Sequence, residues 1–154
     1  MIVSPVITNP PYGSMYNDND DITIVIDSSD TVVEVNGGFT VGELNKITFP
    51  DDHYLLISRA GRYLITYSMS ALTASVSNKT IEGCILIDGV RQSPGTSHAE
   101  VSPGGSGRPE TLNGTAILNL VENNQVSLGV SNHDDGTDVV IHHASLTLVM
   151  VGGK

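Results

Sequence analysis

Three carboxylates and a histidine crowd residues 133–138, His-Asp-Asp-Gly-Thr-Asp. Calcium takes carboxylate and carbonyl oxygens from loops of this composition, which makes Asp134, Asp135 and Asp138 calcium candidates. Their spacing is not that of an EF-hand, and Asp, Asn and Gly also make up ordinary hairpin turns, so the turn reading is preferred. Residues 17–21, Asn-Asp-Asn-Asp-Asp, form a second acidic turn of the same kind. His142 and His143 are adjacent. Neighbouring side chains of a strand point to opposite faces, so the two are not expected to share one metal ion. One of them is expected to face the core or a subunit interface, where a buried imidazole makes assembly sensitive to pH. Three symmetry-related copies of one histidine are a conceivable zinc site.

Nucleophilic chemistry finds less support. Cys84 is the only cysteine and lies in an apolar run with no basic neighbour, so it reads as a small buried hydrophobe. No serine sits in a Gly-x-Ser-x-Gly elbow, and no Ser/His/Asp spacing stands out. The run Gly104-Gly105-Ser106-Gly107 precedes no helical pattern and is loop chemistry, not a phosphate cradle. A non-enzymatic protein without a cofactor is the expectation.

The elements that would position these residues are strands. The 154 residues suit one domain with a real core. Hydrophobic content is 39% and charged content 16%, too apolar for a disordered chain. A net charge of −10 and no Lys/Arg stripe argue against a nucleic-acid partner. No stretch approaches a membrane-spanning length, and the first residues lack a basic, apolar leader. Synthesis in a cytoplasm, with no membrane partner, is expected. Helical periodicity is nearly absent. Ten strands are predicted, at 13–16, 22–26, 31–35, 46–49, 54–58, 62–74, 80–87, 111–121, 125–131 and 139–151, with a single helical turn at 42–45. Gly37-Gly38, Asp88-Gly89, Asn123-Asn124 and Asp135-Gly136 punctuate them as turns. Residues 102–109, rich in Gly, Ser and Pro, read as a mobile surface loop.

Two of these strands are apolar on both faces. In residues 62–72, Tyr63, Ile65, Tyr67, Met69 and Ala71 alternate with Leu64, Thr66, Ser68, Ser70 and Leu72. In residues 139–151, Leu146, Leu148 and Met150 alternate with Thr147, Val149 and Val151. A strand that buries one face reads apolar–polar, so the second face here must also meet something, and another subunit is the natural candidate.

The order of motifs resembles the trimeric jelly rolls of the tumour necrosis factor and complement globular-head superfamily, including forms found in bacteriophage structural proteins. Residues 60–67, Ala-Gly-Arg-Tyr-Leu-Ile-Thr-Tyr, resemble its Gly-x-Tyr strand. Leu86-Ile87-Asp88-Gly89 is similar to its apolar–apolar–Asp-Gly hairpin, residues 114–130 to its penultimate strand pair and residues 144–151 to its final strand. Asn123-Asn124 stands where the family has Gly-Asp, and the last strand is aliphatic where the family is aromatic. The resemblance implies an all-β, single-domain jelly-roll sandwich of about ten antiparallel strands at residues 12–154, preceded by an extended arm at 1–11. It also implies a homotrimer with one sheet facing the threefold axis.

Tyr63, Tyr67, His143, Val149 and Val151 are the expected seam residues. The proline-broken arm would lay Ile2, Val3, Val6 and Ile7 on the major capsid protein of a virion, making the chain a decoration or cement protein of a phage head. The alternative is a head-fibre or tail-tip module that binds a receptor or glycan through residues 93–109 and 133–138.

Overall fold

The computed structural model describes residues 9–18, 21–103 and 108–153. Among them are twelve strands and no helix: β1 (Tyr12–Asn17), β2 (Ile22–Ile24), β3 (Val33–Glu34), β4 (Thr40–Asn45), β5 (Ile47–Asp51), β6 (Tyr54–Ile57), β7 (Gly61–Thr73), β8 (Lys79–Ile87), β9 (Val90–Val101), β10 (Glu110–Leu120), β11 (Gln125–Asn132) and β12 (Val139–Gly153). All ten predicted strands agree with these to within about two residues at each end. The predicted 22–26 and 31–35 shrink to β2 and β3. Two strands escaped the pattern, β4 and β9, and the helical turn expected at 42–45 is part of β4.

The strands build two antiparallel sheets. The first runs β10-β7-β12-β1-β4, with β2 also paired to β12. The second runs β5-β6-β11-β8-β9, with β3 also paired to β11. The core lies between them. From the first sheet come Tyr63, Ile65, Tyr67 and Met69 of β7, Leu112 and Leu120 of β10, and Leu146 and Leu148 of β12, all at most 1% exposed. Ile81 and Ile85 of β8 and Val126, Leu128 and Val130 of β11 meet them from the second sheet, all at 0%. Each such side chain contributes roughly 1.5–3 kcal/mol by leaving water. The all-β sandwich expected from the sequence is the fold observed.

Turn chemistry holds the register. Asp88 and Gly89, joining β8 to β9, both take positive φ, at 51° and 76°, which is what a two-residue hairpin turn demands. The Asp88 carboxylate then accepts from Asn124 Nδ2 at 2.7 Å and from the Gln125 N–H at 2.7 Å. It thereby ties this turn to the Asn123-Asn124 turn between β10 and β11.

Candidate functional site

The outer face of the first sheet is built from the residues that alternate with the core. Register aligns them in rows across β10, β7, β12 and β1. The first row is Ile117, Leu64, Val149 and Tyr12. The second is Thr115, Thr66, Thr147 and Ser14, and the third Asn113, Ser68, Ser145 and Tyr16. A shorter fourth row joins Thr111, Ser70 and His143. None of these four rows contains Asp, Glu, Lys or Arg, in a chain with 17 acidic residues and a net charge of −10; Arg62, opposite Asn119 and Gly152, stands at the edge beyond the first row. Ile117 is 61% exposed, Tyr12 38% and Tyr16 39%. The outer face of the second sheet is different in kind, carrying Glu34, Glu82, Arg91, His98 and Glu100.

Val149 is half-buried on the uncharged face, and Val151 is exposed near its end, at a register irregularity between Met150 and Gly152. His143 is exposed on the same side. Tyr63 and Tyr67 are not there. Both point between the sheets and are 0% and 1% exposed in a single chain, so neither has surface left for a partner. The face of β7 that looks outward is Leu64, Thr66, Ser68 and Ser70; the bulkier set fills the core. The expectation put Tyr63 and Tyr67 on an outward face of β7, and the structure turns both inward. Tyr12, Tyr16 and Ile117, also exposed on this face, were not singled out in the sequence, where their only signal is alternation within β1 and β10.

The two adjacent histidines correct a second expectation. A register shift between Ile141 and His143 inserts an extra residue opposite β7. Alternation slips by one: Ile141 and Ala144 face inward, while His142 and His143 are both exposed. Their rings touch edge to face with centroids 4.7 Å apart. His142 Nδ1 also pairs with the Asp21 carboxylate. Beside His143 is an open depression of about 300 Å³, lined by Tyr16, Asn17, Asp18, Ser68, Ser70, Ala144 and Ser145.

The calcium candidates do not converge. Asp134 Oδ2 accepts from the Thr80 N–H at 2.6 Å, and Asp138 Oδ1 from the Ile26 N–H at 3.1 Å. Asp135 Oδ1 accepts from the Thr137 N–H at 2.9 Å while its Oδ2 meets Lys79 Nζ at 2.6 Å. The Lys79 hydrogen bond, then those of Thr137, hold the Asp135 carboxyl well below the usual carboxylate range. Each carboxylate serves a different backbone segment, which is turn architecture. Among the described residues, donor groups that could hold a metal ion gather at Asp51, Asp52 and His53, in the exposed β5–β6 turn, and at Glu82, His98 and His133, on the second sheet.

Residues 93–101 belong to β9, so the proposed recognition loop is largely a strand. Ile2, Val3, Val6 and Ile7 lie outside the described residues. Cys84 is fully buried, and burial, with Glu82 adding to it, pushes its thiol up to about 12, the opposite of an activated nucleophile.

No protein-family model and no curated protein sequence matches the chain. Solved structures do. Eiger TNF from S. frugiperda superposes with a TM-score of 0.65 at 14% identity, over 94% of this chain and 95% of that one. Murine APRIL at pH 5.0 gives 0.61 at 11% identity, over 92% and 99%. The same protein at pH 8.5 gives 0.56 at 11%, over 91% and 99%. At these identities the likeness defines the fold: the chain has the jelly roll of the tumour necrosis factor type.

Proposed function

We propose that this chain is a non-enzymatic structural module that works as a homotrimer, its seam being the outer face of the first sheet. The observation that carries this is the uncharged set of rows running from Ile117 and Tyr12 to Thr111 and His143. A soluble monomer of this charge would be expected to spread acids over a face of that extent. Leu64, Val149 and Tyr12 supply apolar area, while the hydroxyl rows can hydrogen-bond across a seam without burying a charge. A head-to-tail contact whose rotation closes forms a ring, and the fold resemblance favours three members. Size-exclusion chromatography with light scattering tests it.

The finer role proposed is attachment to a larger assembly, as a decoration protein on a virion shell with Ile2, Val3, Val6 and Ile7 as the anchoring residues. Its support is the sequence of residues 1–11, apolar and broken by Pro5, Pro10 and Pro11. Deleting residues 2–11 should release such a protein from its shell and leave the trimer intact. A second reading, a glycan-binding module, draws on the depression beside His143, whose hydroxyl, amide, carboxylate and aromatic lining suits sugar hydroxyls and ring faces. In that case the deletion leaves binding unchanged and Tyr16→Ala abolishes it.

A further inference from the structure

We infer that Glu82, His98 and His133 form a binding site for a divalent cation of the zinc class on the outer face of the second sheet. Three adjacent strands bring them together. Glu82 of β8 stands directly opposite His98 of β9. On its other side Glu82 pairs with Ser131 of β11, and His133 follows two residues later, its N–H donating to the Thr80 carbonyl at 2.9 Å. Glu82 Oε2 lies 3.0 Å from His98 Nε2 and 3.5 Å from His133 Nε2, and the three donor atoms all lie within 4.8 Å of one another. Ligands about 2.1 Å from a tetrahedral zinc are about 3.4 Å apart, a spacing these two distances bracket.

Two of the three ligands, His133 and Glu82, are oriented by a further group. Asp30 Oδ1 lies 2.5 Å from His133 Nδ1, so the carboxylate accepts a hydrogen bond from Nδ1–H, which favours the tautomer whose lone pair is on Nε2. Carboxylates behind metal-bound histidines do this routinely. That Nε2 is shielded from solvent and has no hydrogen-bond partner. It faces a carboxylate oxygen, so two acceptors meet with nothing between them, and a cation is what such a gap takes. Arg91 holds the Glu82 carboxylate from the other side, Nε to Oε1 at 2.5 Å and Nη2 to Oε2 at 2.8 Å. A carboxylate offers about four lone-pair positions, and Arg91 uses two of them.

Two imidazoles and one carboxylate are the donors of zinc-type ions rather than of calcium or magnesium. His98 is half-exposed and gives the ion a way in. A fourth position stays open to water or to a donor from a partner. The site is on the sheet opposite the proposed seam and does not depend on it.

The test is titration of the untagged full-length chain, stripped with chelator, with Zn²⁺ by calorimetry and with Co²⁺ by absorption. One ion per chain is expected. His98→Ala and His133→Ala should each weaken it at least tenfold, and Asp30→Asn by about 10–100-fold. His53→Ala and the pair His142→Ala, His143→Ala should leave it unchanged. In the unsubstituted chain, Zn²⁺ should shift the ring resonances of His98 and His133 and not those of the other three histidines. No binding, binding that survives both His98→Ala and His133→Ala, or shifts confined to other rings would each overturn the site. The first of these is what a second proton on His133, filling the same gap, would give.

Discussion

Leu64 of β7 lies directly opposite Val149 of β12, and both are only half-buried on the outside of the sandwich. Ile117 and Tyr12 extend this pair to a four-residue apolar row, with the uncharged Thr115, Thr66, Thr147 and Ser14 on one side and Arg62 at the edge on the other. Leu64→Asp places a carboxylate in the middle of that row. Within one chain the site is open enough to hydrate the charge, so the monomer should fold. At a seam the charge is desolvated without a counter-charge, at a cost of several kcal/mol. The expected outcome is a folded monomer, measured as loss of the oligomer with unchanged far-ultraviolet circular dichroism.

Tyr67 anchors the core by its hydroxyl, which lies 2.7 Å from the Gly83 carbonyl and 2.8 Å from the Gly95 carbonyl. One proton is shared between two acceptors on β8 and β9. Burial pushes the phenol far above its ordinary value, so it stays protonated and donating. Tyr67→Phe leaves both carbonyls short of a donor and should cost about 1–2 kcal/mol. Urea unfolding of the Leu64→Asp monomer measures this without a contribution from assembly.

Gly114 is fixed by a bulge in β9, where extra residues including Gly95 lie between Gln92 opposite Ile85 and Ser97 opposite Gly83. A Cβ there would sit 1.9 Å from the Gly95 carbonyl oxygen and 2.6 Å from Tyr67 Cε1. Backbone cannot yield as a side-chain tip can, so Gly114→Ala should lose about 3 kcal/mol or more, or express as insoluble protein. Gly89→Ala is the contrast: nothing lies within 4 Å, and only the positive φ of 76° is strained. Its cost should be about 1–2 kcal/mol. Equal effects of the two substitutions would show that the bulge is not packed as described.

The pH dependence at Asp135 follows from its ion pair with Lys79. The carboxyl is held below its ordinary value of 3.8 in the folded chain. A depressed carboxylate contributes stability that is fully present above the unfolded value and is lost as pH falls through the folded one. Asp135→Asn should therefore lower the melting temperature by a constant amount from pH 7 to about pH 5. Below about pH 4 that difference should shrink, because the unfolded wild-type chain takes up the proton while the folded carboxylate stays charged. A difference that grows toward acid would contradict the assignment.

What the sequence made legible depended on how regular the alternation was. β7 and β12 are long, and their pattern is unbroken enough to read both strands and the turns around them. β9 contains Pro94 and Gly95 and few apolar residues because it is an edge strand, half exposed and interrupted by a bulge. Without β9, nothing aligns His98 with Glu82, so the metal-type cluster was invisible. The bulge at His142 and His143 shifts alternation by one residue and is likewise unmarked in composition. On β7 both faces are apolar, and periodicity alone cannot say which turns inward; the volume of Tyr63 and Tyr67 decided it.

The central claim is that the uncharged face closes a three-membered ring. Light scattering on the full-length chain, in moderate salt at neutral pH, measures this directly. A particle three times the 16.2 kDa chain mass, reduced to one chain by Leu64→Asp, is the expected result. A stable monomer of the unsubstituted chain, or a trimer indifferent to Leu64→Asp, would contradict it.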